Sequence, residues 1–500
     1  MRLSCAAALA AATISTTALG AGYEYPDNGS VGLGRAGAMA AKADDGTAVY
    51  YNPSGLADQS GLRIMADGMF SNAAIAFQRT DQNGVPIGPT VANSGGTFVA
   101  PFVTLSYQII PGLTVALGAY GPPADGRYQF PSETPPSPSN PNANPFGSPP
   151  TPSGPGGAPQ KYMLIQNNIF VFYPTASIAW RPVRWVAFGA SLQLVDASTF
   201  FQQATYDGAL LDGKTTTPSS ESASRDTIAS ANVADNPIEV LAGIFGVTVN
   251  PTDRLRIGAS YRPGFTTTQT GTLGLDYSTL AQDVHAKVSG NGTTQAKDGT
   301  SGSGPAQLVV PFPGEFKSGV GYAWGSGLTR GSDVELDFDY DQWSQLKQLA
   351  LTPGFNFQTD LSNAQALPAI EIPKNFQDAW SLRLGSDFRL PVRGPIRLTA
   401  RAGLGYESSV YASSGTIYPT IDFPNFAQFV GSAGFSIGWR MLDLDLGYAH
   451  VYEPTAQVRS SGVVMTANQP PPGYSPEVVG NGNFVTSYDV FSAGLRLRFL

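Results

Sequence analysis

Charged residues, cysteine, histidine and long apolar runs are all scarce in this chain, and each shortage excludes a class of protein. Lys, Arg, Asp and Glu make up only 13 % of the 500 residues, and the formal net charge is −8. No Lys/Arg cluster has the density of a nucleic-acid-binding surface, so nucleic acid is not an expected partner. One cysteine and two widely separated histidines cannot form a metal site, and we predict no metal and no cofactor.

Residues 1–20 have the composition of a secretory signal peptide. Arg2 supplies the positive start, an apolar stretch follows, and Ala18-Leu19-Gly20 provides a small-x-small cleavage site. Cleavage there would remove Cys5, so the mature chain would contain no disulfide and no thiol nucleophile. After this segment no apolar run of about 18 residues occurs, which excludes a spanning helix. If the chain enters a membrane, it must cross with strands.

Stretches of alternating apolar and polar residues, each about ten residues long, recur along the second half of the chain. From Asp333 to Asp341, for example, Val334, Leu336 and Phe338 point to one side and the carboxylates to the other. The same alternation occurs at 254–262, 380–390, 397–404, 442–448 and 495–499. Such apolar faces, unbroken and ending in aromatics, are expected of a wall with lipid on one side and a lumen on the other.

The connections between these stretches alternate between tight turns and long polar loops. The tight turns are predicted near Pro111-Gly112, Pro182-Val183, Pro251-Thr252, 391–395 and Arg440-Met441, and the long loops near 122–161, 201–238, 275–305, 346–375, 409–427 and 457–484. Strands of a soluble sandwich or propeller also alternate, but neither accounts for these loop lengths or for a chain that stops within an aromatic strand. We therefore predict an all-β fold, a transmembrane antiparallel β-barrel of about fourteen strands over residues 61–500, with low-complexity surface coil at 132–159.

The segment 21–60 precedes the first predicted barrel strand and shows no strand alternation. It is rich in Gly, Ala, Asp and Asn, and its most distinctive sequences are at 32–37, 43–45 and 50–56. A barrel of about fourteen strands encloses a lumen too wide for its own side chains to fill. We therefore predict that residues 21–60 form a hatch that plugs the lumen.

The order and spacing of Gly32 to Ala36, Asp44-Asp45 and Asn52-Pro53 resemble the outer-membrane long-chain fatty-acid transporter family and its aromatic-hydrocarbon-transporting relatives. Ser54 departs from the alanine that usually follows Asn-Pro in this family. The hatch residues that the resemblance implies are Gly32, Gly34, Arg35, Asp44, Asp45, Asn52, Pro53 and Ser54. The resemblance further implies a multi-pass barrel in the Gram-negative outer membrane, an internal apolar pocket and a sideways opening from the wall into the membrane. We expect a monomer that contacts outer-membrane lipid and lipopolysaccharide and is inserted by the barrel-assembly machinery.

Two short motifs that are typical of enzymes occur, and neither has the context that its chemistry needs. Gly32 to Gly37 spells G-x-G-x-x-G but lacks the preceding strand of a dinucleotide-binding fold. Gly434 to Gly438 spells G-x-S-x-G, but strand alternation continues through Ser436, where a nucleophile elbow would turn sharply. His285 falls in a predicted loop and His450 on the outward face or rim, so neither is placed to serve Ser436. We predict no catalytic residue and no enzymatic activity.

Basic residues on the predicted lumen face leave two alternatives open. Arg383, Arg389, Arg397 and Arg401 lie on strands close to the acidic stretch 335–339. They can form an ion-pair lattice that lines the wall and anchors the hatch. Alternatively, one of them can receive a substrate carboxylate by bidentate pairing, although an aromatic hydrocarbon would need no such arginine.

The joint presence of barrel and hatch patterns predicts passive uptake of long-chain fatty acids or similar hydrophobic molecules across the outer membrane. Each buried methylene contributes about 0.8 kcal/mol, so an apolar path favours a lipid-like molecule, which gains nothing from a water-filled pore. Three alternatives remain open: an aromatic-hydrocarbon transporter of the same family, a general diffusion porin that the N-terminal segment constricts, and a barrel that serves adhesion or phage attachment through its long loops.

Overall fold

The computed structural model describes residues 27–121, 127–131, 158–206, 226–235, 240–278, 285–297, 299–359, 364–465 and 476–499. The predicted signal peptide, the first residues of the predicted hatch and most of the predicted low-complexity coil lie outside the described residues. Ala158 and Pro159, the last two residues of that coil, are buried, so the prediction of a surface position is wrong for them. Within the described part, no helix is both long and apolar enough to cross a membrane.

Short helices and 26 strands make up the regular structure of the described residues. The helices are α1 (Gly29–Leu33), α2 (Ala48–Tyr51) and three 3-10 helices, Pro53–Asp58, Gly327–Thr329 and Trp343–Gln345. The first thirteen strands are β1 (Leu62–Arg79), β2 (Val91–Ala92), β3 (Phe98–Ile110), β4 (Leu113–Tyr120), β5 (Arg127–Gln129), β6 (Gln166–Val183), β7 (Val186–Leu194), β8 (Asp196–Tyr206), β9 (Asp226–Ala234), β10 (Leu241–Val249), β11 (Leu255–Arg262), β12 (Phe265–Asp276) and β13 (Ala286–Ser289). The others are β14 (Thr294–Gln295), β15 (Ser301–Phe312), β16 (Glu315–Trp324), β17 (Ser332–Asp341), β18 (Gln348–Pro353), β19 (Asn356–Thr359), β20 (Gln365–Ala366), β21 (Ile370–Pro373), β22 (Ala379–Leu390), β23 (Ile396–Glu407), β24 (Gln428–Trp439), β25 (Leu442–Val458) and β26 (Gly482–Phe499).

These segments build a closed antiparallel barrel of fourteen wall strands, which confirms the predicted fold class. Wall strands 1, 4, 11, 12, 13 and 14 are β1, β6, β23, β24, β25 and β26. The other eight consist of two segments each: 2 (β2, β3), 3 (β4, β5), 5 (β7, β8), 6 (β9, β10), 7 (β11, β12), 8 (β15, β16), 9 (β17, β18) and 10 (β21, β22). The barrel closes because β1 pairs with β26 from Leu62 opposite Phe499 to Arg79 opposite Gly482.

Side chains of the wall strands alternate between the outside and the lumen, as the sequence pattern predicts. On β17, Leu336 is 53 % exposed on the outside, whereas Glu335 and Asp337 are 2 % and 1 % exposed on the inside. On β24, Trp439 points outward and Ser436 is buried. The outer face is therefore an apolar band, and the polar half of each pattern belongs to the lumen.

Short turns join the wall strands at one end of the barrel, the turn side, and long loops join them at the other, the loop side. The turn predicted near Pro182-Val183 begins at the next residue, because β6 continues through Val183 and the turn is at Arg184-Trp185. The predicted loop at 201–238 is too long, because β8 continues to Tyr206 and β9 begins at Asp226. The strand prediction rests on the alternation of apolar and polar residues. β8 contains many polar residues and shows little of this alternation, so its end is not predicted.

The ladder between wall strands 1 and 2 is interrupted, and this interruption is called the wall gap below. β1 is paired with β3 up to Ser71 and with β2 again only from Ala76. Asn93 spans the gap with its backbone N–H, which donates to a β1 carbonyl at 2.8 Å.

Candidate functional site

The chain from Asp27 to Gln59, called the N-terminal segment below, lies inside the barrel. Its helix α1 packs against β24, β25 and β26, and its 3-10 helix Pro53–Asp58 packs against β6, β7 and β10 on the other side of the lumen. Nearly all of its residues are buried. The segment therefore spans the lumen and separates the space on the turn side from the space on the loop side.

Two glycines of the N-terminal segment lie where its backbone passes close to other groups. A Cβ on Gly34 would lie 2.9 Å from the Cα of Gly434 in the wall, and a Cβ on Gly32 would overlap the hydroxyl of Tyr51. Any larger residue would push the segment away from the wall or displace that ring. Close approach, and not phosphate binding, is the physical reason for the glycines of the G-x-G-x-x-G sequence.

Asn52, Pro53 and Ser54 begin the 3-10 helix and connect the N-terminal segment to wall strand 6. Asn52 Oδ1 accepts a hydrogen bond from the Ser54 backbone N–H at 3.2 Å, and Pro53 takes the first helical position, where no N–H is needed. Asn52 Nδ2 donates to the carbonyl of Ala40 at 2.7 Å and to a carbonyl of wall strand 6 at 3.2 Å. Ser54 Oγ lies 2.6 Å from Thr248 Oγ1, a contact that an alanine could not make.

Arg35 is completely buried and is surrounded by three carboxylates of the wall. Its Nη1 lies 2.7 Å from Asp333 and 2.7 Å from Asp387, and its Nη2 lies 3.3 Å from Glu335. Lys42 adds a second cation, 2.6 Å from Asp333. These pairs bind the N-terminal segment to wall strands 9 and 10.

Asp44 and Asp45 are neighbours in the chain but have different surroundings. Asp45 is buried, and its Oδ1 accepts hydrogen bonds from the backbone N–H and the hydroxyl of Thr47 at 2.9 and 2.5 Å, which orders the start of α2. Its other oxygen lies 3.7 Å from Arg496 of the wall. Asp44 is more exposed and lies 3.2 Å from Lys42.

Arg383 is the most enclosed of the four lumen arginines that the sequence singles out. Its guanidinium lies 2.9 Å from Asp27 of the N-terminal segment, 2.9 Å from Glu407 and 3.2 Å from Asp339. All three carboxylates are buried with it. This arrangement joins the N-terminal segment to wall strands 9, 10 and 11. Of the two roles considered for the lumen arginines, the contacts of Arg383 fit the ion-pair lattice and not a partner for a substrate carboxylate.

The other three arginines line a polar cavity on the turn side, called the vestibule below, with a volume of about 880 Å³. Arg401 lies 3.2 Å from Asp387, and Arg397 lies 3.0 Å from Asp443. Arg389 forms no ion pair with any described residue. All three therefore lie below the N-terminal segment, away from the apolar space on its other side.

On the loop side of the N-terminal segment lies a narrow, closely packed apolar cleft with a volume of about 30 Å³. Its lining comes mainly from leucine, isoleucine, phenylalanine and alanine side chains of wall strands 4 to 10. Asp422 and Phe423 of the loop 408–427 complete it. A mostly apolar cleft with few polar groups is the usual form of a site for hydrophobic ligands.

Asp422, the only carboxylate of the described cleft lining, is paired with Lys374. The Lys374 Nζ lies 3.0 Å from each Asp422 oxygen and 2.5 Å from Thr420 Oγ1, and it stands 4.6 Å from the centre of the Phe423 ring. Burial lowers the pKa of Lys374 below its ordinary value, and Asp422 offsets part of that shift. An ammonium group has three N–H donors, and all three have acceptors here.

A series of aromatic rings connects the N-terminal segment with the lining of the cleft. Tyr50 contacts Tyr120 at a ring distance of 5.8 Å, Tyr120 contacts Tyr173 at 5.7 Å, and Phe265 stacks on Phe312 at 4.7 Å. These rings and the cleft leucines belong to one continuous apolar cluster. An apolar cluster therefore extends from the N-terminal segment into the loop-side half of the lumen, where buried ion pairs such as Lys161 with Asp226 and Lys374 with Asp422 are also found.

The pairing of Lys374 with Asp422 was not predicted from the sequence. The sequence predicts an outer loop at 409–427, yet Ile421, Phe423 and Phe426 are buried. The aromatic and aliphatic residues of this loop are the signal that could have indicated an inward fold. Nothing in the sequence around Lys374 indicates its partner.

Ser436 of the G-x-S-x-G sequence is buried on the lumen face, where it hydrogen-bonds to Arg401 and Asp445. His450 lies on the outside of the barrel, 2.9 Å from Asp489. The serine and the histidine therefore lie on opposite faces of the wall, as the strand alternation predicts.

The fold and the site define a membrane β-barrel whose lumen is filled by its own N-terminal segment. A sequence model described as "Outer membrane protein transport protein (OMPP1/FadL/TodX)" matches residues 165–489. The chain belongs to this family of outer-membrane transport proteins, which confirms the predicted resemblance and location. Long loops of outer-membrane barrels face the outside of the cell, so the loop side is extracellular and the turn side periplasmic.

Solved structures of this family have the same fold. A FadL homologue of Pseudomonas aeruginosa superposes with a TM-score of 0.70 and 16 % identity, over 96 % of this chain and 100 % of that chain. The toluene transporter TodX of P. putida superposes with a TM-score of 0.61 and 14 % identity, over 95 % of this chain and 99 % of that chain. A putative outer membrane protein of Neisseria meningitidis serogroup B is 30 % identical over 119 residues, 23 % of this chain, and the match spans only 25 % of that relative's length.

Proposed function

We propose that this protein takes up hydrophobic molecules passively across the outer membrane and that the N-terminal segment is its hatch. The observation that carries the proposal is the apolar cleft on the extracellular side of a segment that fills the lumen. A hydrophobic molecule gains about 0.8 kcal/mol for each methylene that it buries there. A water-soluble solute gains nothing from the cleft and meets the buried segment below it.

The exit that we propose is the wall gap. Behind it, on the lumen side, lies a second apolar cluster that includes Met69 and Ala73 of β1, Ala100 of β3 and Leu33 of the hatch. Between Ser71 and Ala76 the continuous ladder is replaced by separate contacts from Asn93, whose side-chain Nδ2 donates to the Ala73 carbonyl at 2.9 Å. We infer that wall strands 1 and 2 part more easily here than where the ladder is continuous. A molecule that leaves sideways enters lipid and never has to pass the hatch.

Uptake by proteoliposomes tests the proposal against the diffusion-porin alternative. We expect the protein to accelerate entry of radiolabelled dodecane several-fold and to leave sucrose entry at the rate of protein-free liposomes. Single-channel recordings in planar bilayers should show no steady conductance. Rapid sucrose entry, with no acceleration for dodecane, would establish a porin instead.

A disulfide across the wall gap tests the sideways exit. Asn72 and Thr97 face outward on either side of the gap, and their side chains are hydrogen-bonded at 2.7 Å. We expect the Asn72→Cys/Thr97→Cys variant to lose most dodecane uptake when oxidised and to regain it on reduction. The matched control is Ala66→Cys/Val103→Cys, an outward-facing pair on the same two strands where the ladder is continuous. Equal inhibition in both variants would rule out the gap as the exit.

Between the two substrate classes, the charges of the extracellular half favour uncharged hydrocarbons over fatty acids. Lys374 is saturated by Asp422 and Thr420, and Asp422 presents a negative charge to the cleft. Lys161 is paired with Asp226 at 2.7 Å. A fatty-acid carboxylate in the cleft would therefore lie close to Asp422, and the two described lysines named here are already paired with carboxylates. The preference between the two classes is measured by adding unlabelled dodecane or unlabelled laurate and following the uptake of labelled dodecane. Stronger inhibition by laurate would show that the protein prefers fatty acids.

A further inference from the structure

The vestibule is strongly basic although the protein as a whole is acidic. The chain carries 29 basic and 37 acidic residues. Eleven lysines and arginines line the vestibule against seven aspartates and glutamates, an excess of four positive charges. A cavity of this kind, with one sign of charge in excess and protein walls around it, concentrates oppositely charged solutes.

Some of the basic residues that line the vestibule do not help to hold the hatch. Arg35 and Lys42 pair with wall carboxylates, but Arg184, Arg254, Arg330 and Arg389 form no ion pair among the described residues. The first three lie on the turns at the mouth of the vestibule and are exposed, whereas Arg389 projects from β22 into the cavity. An ion-pair lattice that served only to anchor the hatch would not need these four cations.

Several vestibule arginines also share their carboxylates. Arg397 and Arg498 both pair with Asp443, at 3.0 and 2.6 Å. The charges around Arg389 are Asp387, Arg397, Arg401 and Asp443, of which Asp387 is already paired with Arg401 and Asp443 with Arg397. The Arg389 guanidinium also lies beside the turn at Gly331 that follows Arg330. Arginines on adjacent strands therefore crowd together without enough negative charge to neutralise them.

We propose that the vestibule is a binding site for a multivalent phosphate-bearing anion from the periplasmic side. The guanidinium group suits this chemistry because its planar N–H donors match phosphate oxygens in pairs. The cavity of about 880 Å³ is large enough for a chain of several phosphate groups. Arg389 and Arg330 are the residues that we assign to the ligand, because neither has another partner among the described side chains.

Titration of the full-length protein in uncharged detergent with sodium tripolyphosphate tests the site by calorimetry. We expect saturable binding at one site that weakens as salt is added. The Arg389→Gln/Arg330→Gln variant should bind at least tenfold more weakly and should melt at an unchanged temperature, since neither side chain forms an ion pair with the residues that the structure describes. Arg393→Gln is the matched control, because Arg393 is exposed on a turn of the same side but lies outside the vestibule lining.

Two results would overturn the proposal: no saturable binding by the unchanged protein, or an equal loss in the Arg393→Gln control. Nanodiscs distinguish the sources of the phosphate. If phosphatidylglycerol, but not phosphatidylcholine, displaces tripolyphosphate, a lipid headgroup occupies the site, and if neither does, the ligand is soluble. Either result supports the site, and dodecane uptake is measured in parallel because the site does not depend on the transport proposal.

Discussion

The two halves of the lumen differ in chemistry although the same wall strands form both. On wall strand 9, the inward residues of β17 include Glu335, Asp337 and Asp339, whereas the inward residues of β18 are Leu349 and Leu351. The N-terminal segment, our proposed hatch, lies at the boundary between these halves. Each strand therefore carries two patterns, one that binds a plug by charge and one that receives an apolar ligand.

This difference separates two tasks. Ion pairs are directional and are costly to break when buried, so they suit a part that must stay in place. Apolar contacts have no direction and can be exchanged for contacts with a ligand. We infer that the periplasmic half holds still while the extracellular half adapts, and the following substitutions test that contrast in order of expected effect.

Replacement of Arg35 by methionine should have the largest effect because it leaves three carboxylates without their shared cation. We expect a loss of about 3–5 kcal/mol in the free energy that holds the hatch. Steady conductance should appear in planar bilayers, and thermal unfolding should begin at a lower temperature. Arg393→Gln serves as the control, and an unaltered conductance in Arg35→Met would contradict the assigned anchoring role.

Replacement of Asp422 by asparagine should change the ligand preference of the cleft. Lys374 would lose its countercharge, and a fatty-acid carboxylate could then supply it. We expect laurate affinity to rise about tenfold, a gain of about 1.4 kcal/mol, while dodecane affinity stays the same in equilibrium binding to the purified protein. The Lys374→Met/Asp422→Asn variant should show no gain for laurate, and a gain in that variant would exclude Lys374 as the cause.

Replacement of Asn52 by alanine should loosen the hatch locally. The two carbonyls that accept from its Nδ2 would lose a donor, and the 3-10 helix would lose its cap. We expect a cost of about 1–3 kcal/mol for buried groups left unsatisfied. Faster amide hydrogen exchange across residues 54–58, without change in the wall strands, would show this effect, and unchanged exchange would argue against it.

Replacement of Ser54 by alanine should have the smallest effect of the series. It removes the hydroxyl contacts to Asn52 and Thr248 but leaves the backbone cap in place. We expect a loss of about 0.5–1.5 kcal/mol. Thermal unfolding measures this change, and a loss as large as that of Asn52→Ala would mean that the hydroxyl, and not the Asn52 amide, holds this end of the hatch.

The wall could be predicted from the sequence because its signal is local. Lipid on one side and a lumen on the other impose a period of two on every strand, so alternation alone indicated that Leu336 faces out and Glu335 in. The same argument correctly placed Ser436 in the lumen and His450 outside. The argument failed at β8, which is a strand rich in polar residues, and at the loop 408–427, which is a loop rich in apolar residues.

What the sequence by itself determined is therefore the class of structure and the side of the wall on which each strand residue lies. Only the tertiary structure decided which charges meet: Arg35 with Asp333 and Asp387, and Lys374 with Asp422. These partners are separated by 298, 352 and 48 residues. No local pattern encodes such contacts, because they depend on the ladder registers, on closure of the barrel and on the path of a segment folded inside it.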